Sequence, residues 1–126
     1  MITLQAKDKY ELMAIHKLIY KSKFAENPPE RMAVFSPFVA RFAHEVMDKI
    51  IEANAAEGND EEAKGWVEMM ALDKEDHHVE LFKKYVSEGG WWLKLNKNEK
   101  KEHVLAFFSP LRPSERIISD LSKYES

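Results

Sequence analysis

The sequence has 126 residues, of which 44% are hydrophobic and 33% charged, with a formal net charge of −3 and no cysteine. This length and composition are typical of one globular domain, which we expect to cover residues 1–126. The lack of cysteine excludes disulfides, thiolate metal sites and cysteine catalysis. No apolar run approaches the roughly 18 residues of a membrane span, so we expect a cytoplasmic protein with no membrane partner.

Charge is unevenly distributed along the chain, with basic ends and an acidic middle. Terminal helices that pack beside an acidic central pair explain this layout, and such solvent-screened attraction contributes little per pair. The other interpretation is a nucleic-acid footprint. The net charge is negative and no basic stripe with interleaved aromatic residues is present, so we do not expect nucleic acid as a partner.

A first helix is predicted over residues 7–23, because apolar residues recur there at helical spacing. Its apolar face contains Leu12, Ile15, His16 and Ile19. Pro28 and Pro29 are expected to end it, since proline lacks a backbone donor and disfavours helix at the residue before it. Residues 30–35 then predict one or two short helical turns.

The stretch from Ser36 to Gly58 predicts a central helix, with Ser36 as N-cap, Pro37 in the first turn and Gly58 at its end. One apolar stripe contains Phe35, Phe38, Val39, Phe42, Val46 and Ile50. The opposite stripe contains Ala40, His44, Met47 and Ile51. Two apolar sides indicate a helix that is packed on both flanks. In a chain this short, a second subunit is one way to cover a surplus face, so a homodimer is one of our expectations.

A long helical pattern follows, capped by Asn59 or Asp60 and reaching Ser87, before Gly89 and Gly90. Asp73 and Asp76 also resemble a fresh N-cap, so the pattern allows a kink or a new start near residue 73.

Two adjacent tryptophans, Trp91 and Trp92, begin an irregular connector after the glycines. They have two interpretations: a cover for the end of a bundle, or a partner-binding anchor. A fourth helix is predicted from a capping box at Asn96 and Glu99 through Phe108, and a short final helix from Ser114 to Tyr124. The predicted fold is therefore all-α: a single-domain bundle of four main helices plus short extra helical turns.

Each main predicted helix has a histidine on or beside its apolar face, and several of these histidines have a carboxylate at helical spacing from them. The histidines are His16, His44, His77 or His78, and His103. Hemerythrin-like and ferritin-like bundles build metal sites from such residues, using paired motifs. This sequence has one Glu-x-x-His, at Glu75 and His78, and has Phe108 where a hemerythrin-like carboxylate would stand. We assign no metal ligand and no cofactor, and expect these histidines at the margins of the core.

No catalytic motif for nucleotide binding, zinc proteolysis or serine hydrolysis is present, and we assign no catalytic residue. The leading hypothesis is a non-enzymatic protein-interaction or regulatory module, with Trp91 and Trp92 as the candidate partner-binding residues. The alternative is a helical bundle that binds a metal ion or a small apolar ligand through core-edge histidines and carboxylates.

Overall fold

The computed structural model describes residues 1–27 and 31–125, except for the side chain of Arg31. Its helices are α1 (Lys9–Lys23), α2 (Pro37–Ala56), α3 (Asp60–Met70), α4 (His77–Val86), α5 (Lys97–Phe108) and α6 (Glu115–Ser122). Two 3-10 turns, Arg31–Phe35 and Trp92–Lys94, precede α2 and α5. Strands β1 (Ala71–Leu72) and β2 (Arg112–Pro113) form a short parallel pair, with Ala71 opposite Arg112.

The all-α prediction is confirmed, whereas the count of four main helices is wrong, because the described part of the chain has six. The pattern from residue 59 to 87 is interrupted by β1 and a bend. Asp76 then starts α4 as its N-cap, and its carboxylate accepts hydrogen bonds from the backbone N–H groups of His78 and Val79. The new start allowed near residue 73 is therefore the arrangement found. Pro28 and Pro29, which were expected to end α1, lie outside the described residues.

Helix α2 is the central element, since it packs against α1, α3, α5 and the first 3-10 turn. Ser36 caps it as predicted, accepting from the N–H of Val39, and Gly58 ends it in the left-handed region with φ of 81°. The buried side of α2 agrees with the prediction in part, since residues of both predicted stripes are buried, whereas Phe38 and Phe42 are exposed. Its buried residues are Ala40, Ala43, Val46, Met47, Ile50 and Asn54.

An aromatic core joins α4, α5 and the two 3-10 turns. Phe82 lies at its centre, with its ring centroid 5.3 Å from that of Phe107, 5.4 Å from that of Trp92 and 6.5 Å from that of Phe35. Buried aliphatic residues of α6, including Ile117 and Leu121, complete this core. Such aromatic contacts stabilise a fold beyond the area that they bury. No helix among the described residues has the length and hydropathy needed to cross a membrane.

Candidate functional site

A groove of about 860 Å³ runs along the seam between α1 and α2, and we call it the seam groove. The chain before α1 contributes Leu4 to its wall, α1 contributes Leu12 and Ile15, and α2 contributes Phe42 and Val46. Its volume lies within the range of small-molecule pockets in proteins. The seam groove is therefore a built concavity with a largely aliphatic and aromatic floor.

The two helices that form the seam groove run antiparallel. At one end, the Nζ of Lys9 donates to Oδ1 of Asn54 at 3.1 Å and lies 2.8 Å from the carboxylate of Glu57. At the other end, Lys23 donates to the carbonyl of Ser109, whose hydroxyl donates in turn to the carbonyl of Ala40 at 2.7 Å. These contacts fix the start of α1 beside the end of α2.

Large apolar side chains on both helices remain exposed along this seam. Ile15 and Phe42, which line the groove, are 36% and 39% exposed, while Leu18 and Phe38 are 68% and 78% exposed. Leu18 follows Ile15 by one helical turn and Phe38 precedes Phe42 by one turn. Because the helices are antiparallel, both steps lead toward the same end. Exposed apolar side chains that are grouped on one face mark an interaction surface more often than scattered ones do.

The rim of the seam groove is acidic. Its charged lining residues in the described chain are Asp8, Lys9, Glu11, Glu45, Lys49 and Glu52. Both lysines already have carboxylate partners, Lys9 in Glu57 and Lys49 in Glu52 at 3.3 Å. The four carboxylates outnumber the two lysines, and a lining with this excess of negative charge favours a positively charged ligand.

A second groove, of about 680 Å³, lies on the other side of α1 and faces α3. Its walls include the rings of His16, Tyr20 and Trp66, together with Met69 and Met70. The His16 ring makes an edge contact with Trp66 at 5.5 Å between centroids. Burial lowers the pKa of His16, so this groove holds a neutral imidazole at neutral pH.

A carboxylate, an imidazole and a phenol form a chain from the start of α4 to α1. Asp76 Oδ2 lies 3.1 Å from Nδ1 of His78, and Nε2 of His78 lies 2.5 Å from Oη of Tyr20. Partial burial opposes ionisation of Asp76, but hydrogen bonds from the side chain and backbone of His78 hold its pKa below the ordinary value. Burial and the charge of Asp76 raise the pKa of Tyr20, so the phenol stays protonated.

The histidines do not converge on one interior point. Nδ1 of His103 donates to the carbonyl of Glu99, and the ring packs against Phe35. His44 is half-buried, and its burial, followed by the charge of Arg112, lowers its pKa. Among the described residues, the His, Asp and Glu side chains that come close enough to share a metal ion are Asp76, His77 and His78. His16 and His78 are buried rather than marginal, in contrast to the predicted position.

The tryptophans predicted as partner-binding residues occupy different environments. Trp92 is fully buried, its indole N–H donates to the carbonyl of Tyr124 at 2.7 Å, and its ring lies under the Nζ of Lys100. Trp91 is half-buried against Phe35 and His103. The partner-binding role of the two tryptophans stays a prediction. In this structure the side chain of Trp92 has no exposed surface with which to contact a partner.

Lys23 is a polar residue that the sequence analysis did not single out. Its side chain is buried, with the residue only 3% exposed, and its Nζ donates to the carbonyls of Ala106, at 2.6 Å, and Ser109 at the end of α5. Burial lowers the pKa of Lys23 to about 7. Its acceptors are 83 and 86 residues away in the chain, so no local sequence signal identifies this contact.

Comparison with known proteins gives no match. No family model matches the chain, and neither the curated proteins nor the solved structures contain a significant relative.

Proposed function

We propose that this protein is a non-enzymatic interaction module that binds an amphipathic helix of a partner protein in the seam groove. The observation that carries the proposal is the exposed apolar row of Ile15, Leu18, Phe38 and Phe42 beside a groove with an apolar floor. An amphipathic helix binds such a groove by inserting apolar anchors at helical spacing. Large exposed phenylalanines do little for the fold, and their position suits binding.

The acidic rim specifies the partner further. A helix with lysine or arginine on either side of its apolar stripe places positive charge next to Glu11 and Glu45. Opposite charges at the rim of an interface mainly increase the association rate and select against acidic partners. The partner chemistry we propose is therefore a basic amphipathic helix.

The first experiment is a titration with a designed helical peptide of leucine and lysine, followed by fluorescence anisotropy. The matched peptide contains leucine and glutamate at the same positions. We expect binding of the basic peptide only, and a loss of at least tenfold in affinity for Phe42→Ser, since truncating a central aromatic anchor costs about 2 kcal/mol or more.

The control variant is Leu93→Ser, which removes an exposed apolar side chain outside the lining of the seam groove. Its affinity should equal that of the unaltered protein. Equal binding by Phe42→Ser and the unaltered protein would show that the peptide is held by charge alone, and would contradict the proposal.

The sequence also allows for a homodimer, and the seam groove is the face on which we test for one. A symmetric pairing through the seam groove brings two acidic rims together, and like charges in contact disfavour an interface. We therefore expect sedimentation equilibrium to give a monomer over a wide concentration range. A dimer that Phe42→Ser dissociates would instead identify a second copy as the occupant.

A second candidate function, binding of a small apolar ligand, is supported by the groove between α1 and α3. Its methionines adapt to varied shapes, and Tyr20 and His16 offer polar groups. Titration with an uncharged aromatic probe, read by fluorescence of Trp66, tests this candidate. A Trp66→Phe variant shows which part of the fluorescence comes from Trp66. If the Trp66 fluorescence of the unaltered protein shows no saturable change, this candidate is excluded.

A further inference from the structure

Three consecutive residues at the start of α4, Asp76, His77 and His78, bring metal-ligating atoms together outside the seam groove. One ligand atom of each lies within 4.8 Å of the others. Two imidazoles and one carboxylate form a donor set that zinc and other divalent transition metals use.

The two carboxylate oxygens of Asp76 have different partners. Its Oδ1 is occupied by the backbone N–H groups of His78, at 2.8 Å, and Val79, at 3.3 Å. Its Oδ2 lies 3.1 Å from Nδ1 of His78. Two ligand atoms at about 2.0–2.1 Å from one tetrahedral zinc ion are roughly 3.3 Å apart. An ion can therefore replace the hydrogen bond between these two atoms with little rearrangement.

His78 is held in position by α1. Its ring is buried between Phe24 and Tyr20, at centroid distances of 4.7 Å and 5.6 Å, and its Nε2 is 2.5 Å from Oη of Tyr20. In the neutral ring, Nδ1–H donates to Asp76 and the Tyr20 hydroxyl donates to Nε2. When Nδ1 ligates a metal, the ring proton moves to Nε2 and Tyr20 becomes its acceptor. Metal-ligating histidines usually have such a partner on the other nitrogen.

His77 is the third residue of this cluster. It is exposed, and its ring centroid lies 3.9 Å from that of His78. An exposed ring has the rotational freedom to bring a nitrogen to an ion beside Oδ2 and Nδ1. Asp76 and His77 are both exposed, so water reaches this end of α4.

We propose that Asp76, His77 and His78 bind a divalent transition-metal ion, with Tyr20 as the positioning residue for His78. This site uses side chains that the helix-binding function does not, so the two proposals are independent.

Isothermal titration of the chelator-treated protein with ZnCl₂ at pH 7.5 tests the site. We expect one ion per chain and a loss of at least tenfold in affinity for His77→Ala, whose exposed position makes the substitution compatible with the fold. His103→Ala, a histidine on α5 outside the cluster, is the control and should bind as the unaltered protein does. Equal affinity of His77→Ala and the unaltered protein, or an equal loss in His103→Ala, would overturn the proposal.

The positioning role has a separate test. Tyr20→Phe keeps the ring but removes the acceptor for Nε2–H, and loss of such an outer partner lowers metal affinity about 10- to 100-fold. His77→Ala and Tyr20→Phe should both retain the far-ultraviolet circular dichroism of the unaltered protein. Undiminished zinc binding by Tyr20→Phe would overturn the assignment of Nδ1 as the ligand atom of His78.

Discussion

Lys23 is a buried amine, and we expect its protonation to make stability depend on pH. Its ordinary pKa of 10.5 falls to about 7 in the folded state because the ammonium group is removed from water. Between these values the unfolded chain binds more protons than the folded one, so stability rises with pH from about 7 to about 10.5.

We expect the free energy of unfolding to increase by up to about 3 kcal/mol between pH 7 and 9.5, measured by urea denaturation. Lys23→Met should remove most of this increase, because it cannot titrate. Lys17→Met, an exposed substitution on the same helix, should retain it. Parallel pH profiles for Lys23→Met and the unaltered protein would show that Lys23 is not the titrating group.

His16 and His44 are expected to affect stability on the acid side. Burial lowers both pKa values, so the unfolded chain takes up protons below about pH 6.5 before the folded protein does. The melting temperature should therefore fall from pH 7 to 5.5, and should fall less in His16→Phe. A flat melting temperature over this range would contradict the prediction.

At the scale of single helices, two glycines have opposite roles. Gly65 lies inside α3 with nothing within 4 Å of an added Cβ, whereas Gly58 adopts φ of 81° after α2. Gly65→Ala should stabilise the protein by roughly 0.5–1 kcal/mol, since alanine is the better helix former. Gly58→Ala should destabilise it by about 1 kcal/mol or more. Chemical denaturation measures both, and shifts of the same sign would contradict this account.

Helix boundaries were predictable where a side chain caps its own helix. Ser36, Asn96 with Glu99, and Ser114 all act at the predicted starts of α2, α5 and α6. Asp76 also caps its own helix, α4. A new helix therefore starts there, although the apolar pattern suggested one continuous helix through residue 87. A capping hydrogen bond joins residues that are close in the sequence, so these helix starts could be predicted from the sequence.

The buried faces of the helices were less predictable. On α2, Phe38 and Phe42 were predicted on an apolar stripe but are exposed, whereas Ala43, which was on neither predicted stripe, is buried. Small residues let helices approach closely, and only their neighbours in space show which stripe is covered. The seam groove was missed for this reason, and the contacts of Lys23 and of Tyr20 with His78 were missed because they join distant residues.

For the molecule as a whole, we expect that substituting an exposed phenylalanine changes stability far less than substituting a core phenylalanine. Phe38→Ser should change the free energy of unfolding by no more than about 0.5 kcal/mol, as is usual for surface sites. Phe82→Ala, in the middle of the aromatic core, should cost about 3–5 kcal/mol. Urea denaturation checks both, and a large cost for Phe38→Ser would assign that residue to folding rather than to binding.

The most direct test of the interaction proposal is nuclear magnetic resonance of the isotope-labelled protein during titration with the leucine–lysine peptide. We predict shifts of backbone amides along the seam, centred on Ile15, Phe42 and Val46, with little change around the indole of Trp91. Shifts centred on Trp91 instead would contradict the seam groove as the binding site and favour the tryptophan pair predicted from the sequence.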